Sequence, residues 1–528
     1  MRQPKPLPAK YNDLMHDIEK GYIKIPKFQR DFVWTIEETA KLLDSIIKGY
    51  PIGTFIFWKT RERLRSIKNI GGAELPTTPE GDSAQYVLDG QQRLASLYAA
   101  RSGLQVEKGS KVVDYKKIYI DLDIDTDTDD QIVSIELSQN STFITLYELL
   151  SSDMGYLVEN YPDHINKINE YQQRFNAYDF STIVIADYPI DTAVEIFTRI
   201  NTTGTELTLF EIMAAKTFDE GKNFDLQDKY VQLQDELVNI QYDVVPSSTI
   251  LQCLSVNIVE ECTRKAILRL DKNAVINIWD DTVNSIKSAI DYFSMFYRVP
   301  VARLLPYNAL LVPFSYFFFK NKDRPNSNQE TLLQQYFWRS SLSYRFSSAV
   351  ETKLGQDIKR INQMIKGESP EYDFKVLLNK DVVKNLSFST GDSYCKAILC
   401  LYTYFKPKSF RNNSDIILDN SWLKQSNSRN YHHFFPRAYL KKKGIPNDNV
   451  TANITLVDDY LNKREIGSKP PSEYMAKFKR TNPELNETMK THLIDNMEEF
   501  GVWENDYDKF LDKRTEKIVD ELRKRVNI

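Results

Sequence analysis

The spacing of apolar and polar residues predicts alternating strands and helices in the first part of the chain. Thr35-Ile-Glu-Glu38 is a capping box, and the apolar residues after it recur at helical spacing until Gly49, which predicts an amphipathic helix. Segments 52–58 and 85–88 are rich in branched and aromatic residues and predict strands. Segment 118–125 alternates apolar and acidic residues, which predicts a half-buried strand running into a solvated acidic turn.

Helical periodicity dominates the middle of the chain, and its aromatic runs are typical of a helical core. The apolar run 304–319 contains two prolines and is shorter than the roughly 20 residues that a membrane-spanning helix needs, so it predicts a buried helix. The composition turns polar beyond residue 400. We therefore predict an α+β protein with three domains, 1–220, 221–400 and 401–528, of which the second is helical.

Composition narrows the class of protein. The 528 residues are 41% hydrophobic and 27% charged, which suits several globular cores and excludes a wholly disordered or fibrous chain. The net charge of −4 excludes a chain-wide cationic field, so any nucleic-acid surface must be local. The four cysteines form neither a CxxC pair nor a dense disulfide framework, and the N-terminus lacks an apolar signal stretch. We expect a cytoplasmic protein without membrane association.

A first candidate site lies in Val87-Leu-Asp-Gly-Gln-Gln-Arg93, where a strand, a tight turn and a helix start follow one another. A helix N-terminus with side-chain donors suits a phosphate, and Asp89 could hold a metal or orient a water there. The alternative is an ordinary turn followed by a surface cation. Similar polar tips recur twice, so the candidate nucleotide-binding set is Gln29, Arg30, Asp89, Gly90, Gln91, Gln92, Arg93, Arg199, Asn201 and Gly204.

A second candidate site contains two of the five histidines, in Arg429-Asn-Tyr-His-His-Phe-Phe-Pro-Arg437. His433 can take a proton from water near neutral pH, while His432 and Asn462 can bind a divalent cation. A local basic patch could hold a DNA backbone through Arg437, Lys441, Lys442, Lys443 and Lys463. The alternative is a half-buried histidine pair beside a solvated basic helix. The remaining histidines, His16, His164 and His492, are interpreted as structural.

Both candidate sites resemble one family. The order FQRDFVW, PIG, VLDGQQR and FTRINTTG resembles the N-terminal, GmrS-like domain of the GmrSD family of type IV restriction enzymes, over about residues 10–220. That resemblance implies a fold similar to ParB and sulfiredoxin, with NTP binding and hydrolysis at the segment from Asp89 to Arg93.

The spacing from His433 to Asn453, and from Asn453 to Asn462, resembles the ββα-metal HNH nuclease motif, and the residues after Asn462 resemble the GmrD-like C-terminal domain. The resemblance implies that His432 and Asn462 are metal ligands, that His433 is the general base, and that Asn453 braces the loop. A His at the first ligand position departs from the Asp that many HNH enzymes have, which could alter metal preference.

The sequence therefore predicts an NTP-regulated DNA endonuclease that depends on Mg²⁺ or Mn²⁺ and nicks or cleaves modified phage DNA in type IV restriction. His433, Asn453 and Asp89 are its predicted catalytic residues. GTP, ATP and CTP all remain candidate nucleotides, and a homo-oligomer is an open option. Two alternatives stand beside this: a ParB-like, nucleotide-switched DNA-binding protein with an inactive HNH domain, and a nuclease toxin.

Overall fold

The computed structural model describes residues 5–26, 34–64, 66, 69–70, 73–108, 111–126, 130–138, 141–186, 188–200, 208–418, 431–457 and 465–527. The chain divides into two compact units, Met1–Leu226 and Gln227–Ile528. Helix accounts for 54% and strand for 12%, which confirms the predicted α+β class. No helix in the described ranges is both long and apolar enough to cross a membrane.

The first unit contains most of the strands. Its strands are β1 Lys5–Lys10, β2 Ile23–Lys24, β3 Thr54–Thr60, β4 Asn69–Ile70, β5 Ala73–Glu74, β6 Ala84–Asp89, β7 Gln105–Lys108, β8 Lys111–Asp114, β9 Tyr119–Asp121, β10 Val133–Ser134, β11 Phe143–Thr145 and β12 Asp179–Ala186. Its helices are α1 Tyr11–Glu19, α2 Ile36–Ile47, α3 Gln91–Arg101, α4 Leu146–Ser151, α5 Met154–Asn160, α6 Ile165–Ala177, α7 Ile190–Ile200 and α8 Leu209–Thr217.

A mixed five-stranded sheet in the order β1-β12-β3-β6-β2 forms the framework of this unit. The pairs β12–β3 and β2–β6 are parallel, whereas β1–β12 and β3–β6 are antiparallel. Leu43 of α2, Phe57 of β3 and Leu97 of α3 are buried in one continuous core. This packing fixes where β6 ends and α3 begins, which is the position of the first candidate site.

Local sequence signals account for several of these elements. Thr35 and Glu38 form the predicted capping box of α2. The strands predicted at 52–58 and 85–88 correspond to β3 and β6. The strand predicted at 118–125 is shorter than expected and ends at Asp121, because the Asp121 carboxylate accepts a 2.9 Å hydrogen bond from the backbone N–H of Asp123 and turns the chain.

The second unit is mainly helical. Its elements are α9 Leu226–Val238, α10 Ser247–Val259, α11 Arg264–Leu268, α12 Lys272–Phe296, α13 Leu311–Lys320, α14 Ser327–Ser341, α15 Val350–Ile365, α16 Lys380–Lys384, α17 Ser393–Tyr404, β13 Tyr431–His433, α18 Arg437–Lys442, β14 Ile454–Leu456, α19 Pro471–Thr481, α20 Leu485–Lys490 and α21 Tyr507–Val526.

The helices α10, α12, α13 and α15 pack together, and the aromatic residues between them are buried as the sequence predicted. In the apolar run 304–319 the α-helix begins only at Leu311, after two short 3₁₀ turns, with Pro313 in its first turn where no intrahelical N–H bond is lost. All four cysteines are buried and unpaired. The domain boundary predicted at 400 falls inside α17, and the second unit contains the chain on both sides of it.

Candidate functional site

A short hairpin carries the second candidate site. β13 pairs antiparallel with β14, so that His432 lies opposite Thr455 and His433 opposite Ile454. A 3₁₀ turn, Thr451–Asn453, leads into β14. The backbone N–H of Phe434 donates a 2.7 Å hydrogen bond to the Asn453 carbonyl and extends the pairing beyond the last strand residue.

The side chain of Asn453 ties the two ends of this hairpin together. It is fully buried, and its Nδ2 donates to the Phe435 carbonyl at 3.0 Å while its Oδ1 accepts from the Phe435 N–H at 2.9 Å. An amide is the side chain that can donate and accept at once with this geometry. Asn453 therefore fixes the backbone two residues after His433.

His433 is partly buried and has one clear polar partner. Its Nε2 lies 2.8 Å from Oδ1 of Asn449, whose Nδ2 is directed to the Phe388 carbonyl at 3.4 Å. Because Oδ1 can only accept, Nε2 carries the proton and Nδ1 keeps the lone pair. Burial lowers the pKa of His433 from its ordinary value, despite the opposing hydrogen bond with Asn449. The imidazole is thus neutral at pH 7 and able to accept a proton.

His432 lies on the opposite face of β13, as strand alternation requires. It is 2% exposed, and its ring makes edge contacts with Phe410 and Tyr474 at centroid distances of 6.5 and 6.1 Å. The second predicted metal ligand, Asn462, lies outside the described residues, as does Lys463. Within the described parts of the chain, no group of three or more His, Cys, Asp or Glu side chains is placed to hold a metal.

The predicted basic patch follows the hairpin on α18. Arg437 forms an ion pair with Asp448, with Nε 3.0 Å from Oδ2. Lys441, Lys442 and Lys443 are exposed at the C-terminal end of this helix. The lysines are thus accessible to a polyanion, whereas Arg437 already has an acidic neighbour.

The first candidate site has the predicted order of strand, turn and helix. β6 ends at Asp89, Gly90 has a left-handed φ of 91°, and α3 begins at Gln91. A Cβ at position 90 would lie 2.5 Å from Cδ1 of Phe55, so the turn requires glycine.

Arg93 is bound to the protein's own backbone rather than pointing freely outward. Its guanidinium donates to the carbonyls of Ile52 at 2.5 Å and Thr54 at 2.9 Å, and lies 3.5 Å from Oδ2 of Asp89. It also stacks over the Phe55 ring at 4.9 Å. Arg93 thus joins α3 to β3 and sets the position of Asp89.

The other predicted nucleotide-binding residues are distributed unevenly. Gln91 and Gln92 are buried at the start of α3, and Oε1 of Gln92 accepts from the Trp34 N–H at 3.3 Å. Arg199 is exposed and paired with Glu195 at 2.6 Å on α7, a helix that contacts β6. Four members lie outside the described residues: Gln29, Arg30, Asn201 and Gly204.

Three residues around the hairpin were not identified from the sequence. Asn449 lies in a polar turn, Tyr474 donates to the Phe434 carbonyl, and Arg514 donates to the Ala452 carbonyl. A polar Asn within 20 residues of a candidate base is a weak signal for Asn449. No sequence signal identifies Tyr474 or Arg514, because both act through backbone carbonyls distant in the chain.

Comparisons with known proteins support the N-terminal resemblance. Residues 11–218 match the family model described as GmrSD restriction endonuclease, N-terminal domain. The chain is also 24% identical over 528 residues to an uncharacterized protein of Methanocaldococcus jannaschii, an alignment that covers 88% of this chain and 86% of that protein. The match covers the N-terminal part of the chain and supports a GmrSD-like restriction-endonuclease N-terminal region there.

Proposed function

We propose that the protein is an NTP-regulated, metal-dependent DNA endonuclease that nicks or cleaves modified phage DNA. The N-terminal unit would be a ParB/sulfiredoxin-like nucleotide sensor, and the hairpin of the second unit would be an HNH nuclease centre. The observation that carries this proposal is the pair of contacts at the hairpin: Asn453 on the Phe435 backbone, and Asn449 on the His433 imidazole.

The role of His433 follows from its protonation state. A neutral imidazole whose Nε2–H is held by Asn449 offers Nδ1 to remove a proton from an attacking water. The lowered pKa keeps this base unprotonated at neutral pH. Asn453 acts through the backbone, since its two hydrogen bonds limit how far the His433 strand end can move.

By residue type the donor set suits a divalent cation, although the His432 ring is buried on the face of β13 opposite His433. His432 and Asn462 would supply an imidazole nitrogen and an amide oxygen, which leaves other coordination positions for water and phosphate. A bound cation would neutralise charge on the scissile phosphate. Imidazole suits transition metals better than Mg²⁺, so we expect Mn²⁺ to support activity better than Mg²⁺.

The nucleotide site would lie where β6 meets α3. The N-terminus of α3 offers backbone N–H groups to a phosphate, and Asp89, positioned by Arg93, could orient a water for NTP hydrolysis or hold a cation with the nucleotide. Exposed Lys441, Lys442 and Lys443 would contact the DNA backbone.

Nicking of supercoiled plasmid by the purified protein tests this function. Plasmid with and without modified bases would be incubated with Mn²⁺ or Mg²⁺ and with each NTP in turn. We expect cleavage by wild type, loss of at least about 100-fold in His433→Ala, the usual effect of removing a general base, and wild-type cleavage by His16→Ala, which changes an exposed histidine in the other unit. Equal cleavage by His433→Ala would refute the assignment.

The burial of His432 favours a second candidate, a nucleotide-switched DNA-binding protein whose hairpin does not cut. In that case the protein would bind DNA without cleaving it under any metal and NTP combination. His432→Ala separates the two functions: an active nuclease would lose Mn²⁺-dependent cleavage, whereas a binding protein would keep its DNA affinity and show no cleavage to lose.

A further inference from the structure

A groove of about 480 Å³ lies beside the C-terminal half of α19. Two cations, one carboxylate and one indole line it: Lys479, Arg480, Glu498 and Trp503, together with Ala476. Trp503 is half-buried, and Lys479 Nζ lies 5.4 Å from the centre of its ring. The groove therefore combines a flat aromatic wall with positive charge.

The cations of the groove differ from others on the same helix. Lys477 is paired with Glu465 at 3.0 Å, and Lys469, just before α19, is paired with Glu473 at 3.6 Å. Among the described residues, neither Lys479 nor Arg480 has a carboxylate within 4 Å. The positive charges of Lys479 and Arg480 are thus available to a ligand of the groove.

The wall that carries Trp503 is fastened to the start of α19. The Ser472 N–H donates to Oδ1 of Asn505 at 3.0 Å, and Nδ2 of Asn505 donates to Oγ of Ser472 at 2.8 Å. Val502 is fully buried beside Trp503. The backbone that carries the indole is therefore held in position before any ligand arrives, which reduces the entropy cost of binding.

The helix connects this groove to the hairpin. The Tyr474 hydroxyl donates to the Phe434 carbonyl, and its ring touches that of His432. Lys479 lies five residues further along α19, which is about 7.5 Å along the helix axis and about 140° around it, so the groove lies on the side of α19 away from Tyr474.

We propose that this groove binds one unpaired nucleotide of a DNA strand, with its base stacked on Trp503 and its phosphate held by Lys479 and Arg480. Aromatic stacking together with cations on the backbone is how proteins bind single strands. The Glu498 carboxylate can accept a hydrogen bond from an exocyclic amino group, which thymine lacks. The choice of DNA as the ligand rests on the proposed function.

Binding in the absence of divalent metal tests this inference. Fluorescein-labelled 20-mers of oligo-dC and oligo-dT, and a mixed-sequence duplex, would be titrated in EDTA and followed by fluorescence anisotropy at several salt concentrations. We expect wild type to bind oligo-dC more tightly than oligo-dT. Trp503→Ala should weaken oligo-dC binding about tenfold, while Trp503→Phe should keep most of the affinity.

The charged residues have their own signature in the same titration. The plot of log affinity against log salt concentration should be shallower for the double variant Lys479→Ala/Arg480→Ala. Its slope should be smaller in magnitude by roughly 1.4, as expected for two lost contacts to a single strand. Lys477→Ala is the matched control, because this lysine lies on the same helix but is already paired, and it should bind within about twofold of wild type.

Several outcomes would overturn the inference: no binding of any strand by wild type, wild-type affinity in Trp503→Ala, or an equal loss in Lys477→Ala and the double variant. Plasmid nicking is scored separately on the same preparations. Nicking with unchanged binding in the groove variants would refute the groove alone, whereas groove-dependent binding without nicking under any condition would refute the nuclease alone. A wild-type unfolding midpoint in Trp503→Phe confirms that the position tolerates substitution.

Discussion

Arg514 of α21 donates a 2.8 Å hydrogen bond from Nη1 to the Ala452 carbonyl, directly before Asn453. The guanidinium is fully buried and lies against the rings of Tyr402 and Phe510 at 4.8 and 5.8 Å. Its Nε and Nη2 reach no acceptor among the described residues. A buried charge with one strong hydrogen bond adds little net stability, so its position next to the Asn453 turn points to a positioning role.

Replacing Arg514 with Met is therefore expected to affect cleavage more than stability. The lost hydrogen bond and the removed desolvation cost oppose one another, so we expect the free energy of unfolding to change by less than about 2 kcal/mol. With the Ala452 carbonyl released, the nicking rate at saturating DNA should fall about tenfold, while the Kd for DNA stays within about twofold.

Arg525→Met is the matched control for this experiment. Arg525 also stacks on an aromatic ring, that of Tyr404 at 4.3 Å, but it bonds Glu521 on its own helix rather than the hairpin. It should lose stability and keep the wild-type nicking rate below the unfolding transition. An equal rate loss in both variants would show that Arg514 is merely structural.

The pH dependence of the nicking rate in Asn449→Ala tests whether His433 is the proton acceptor. Burial lowers the pKa of His433, so the wild-type nicking rate should fall only at a pH below the ordinary pKa of imidazole, where the base becomes protonated. The Asn449 hydrogen bond raises this pKa against burial, so its removal should move the acidic limb of the rate profile to lower pH. The maximal rate should also fall, because either ring nitrogen could then carry the proton.

NMR titration of His433 in the folded protein measures the same pKa without turnover. A shift of the acidic limb to higher pH in Asn449→Ala, or none at all, would contradict the assignment of Asn449 as the residue that orients the imidazole. His433→Ala serves as the control, since its residual rate should lack this limb.

The sequence predicted those parts of the first site that depend on interactions between residues close together in the chain. The capping box of α2 and the strand–turn–helix order around Gly90 follow from side chains within a few residues of one another. It did not reveal that Arg93 is engaged by the carbonyls of Ile52 and Thr54, because those contacts join residues about 40 positions apart. Backbone carbonyls have no sequence signature.

The second site shows the same limit. Strand alternation alone places His432 and His433 on opposite faces, and the spacing to Asn453 indicated a relation between the two strands. The residues that contact each ring come from distant segments. Phe388 and Asn449 contact His433 on one face, and Phe410 and Tyr474 contact His432 on the other. The buried state of His432 therefore could not be predicted from its local sequence.

Gly90→Ala should destabilise the first candidate site by more than its backbone strain alone predicts. Both Gly90 and Gly81 have left-handed φ values, of 91° and 85°, but only at Gly90 would the new Cβ meet another side chain, Phe55 at 2.5 Å. We expect Gly81→Ala to cost about 1–2 kcal/mol from backbone strain and Gly90→Ala to cost about 2 kcal/mol more, with loss of NTP binding.

Urea unfolding and nucleotide titration of the two variants make this comparison. Equal destabilisation of the two variants would mean that the Phe55 side chain moves aside without a cost in the free energy of unfolding. Full NTP binding in a folded Gly90→Ala variant would contradict the assignment of this turn to the nucleotide.

A buried ion network in the helical part of the second unit gives the sharpest stability prediction. Asp357 is fully buried, and its carboxylate accepts from Arg345 Nε at 3.0 and 2.9 Å, from Arg360 Nη1 at 2.7 Å and from the Tyr336 hydroxyl at 2.9 Å. Arg360 also binds Asp373 at 2.6 Å, so the network fastens the segment after α15. Removing the Asp357 carboxylate would deprive the buried guanidinium groups of Arg345 and Arg360 of the acceptor that they share.

Asp357→Ala is therefore expected to cost about 3–5 kcal/mol in the free energy of unfolding, measured by urea denaturation. Asp281→Ala is the control, because its partner Lys322 is 3.5 Å away and both side chains are more than half exposed, so the loss should stay below about 1 kcal/mol. Asp357→Asn should fall between the two, since the amide oxygen still accepts hydrogen bonds but carries no charge. A cost in Asp357→Ala no larger than that of the surface control would mean that Asp373 and solvent take over both arginines, and that the buried carboxylate adds no stability.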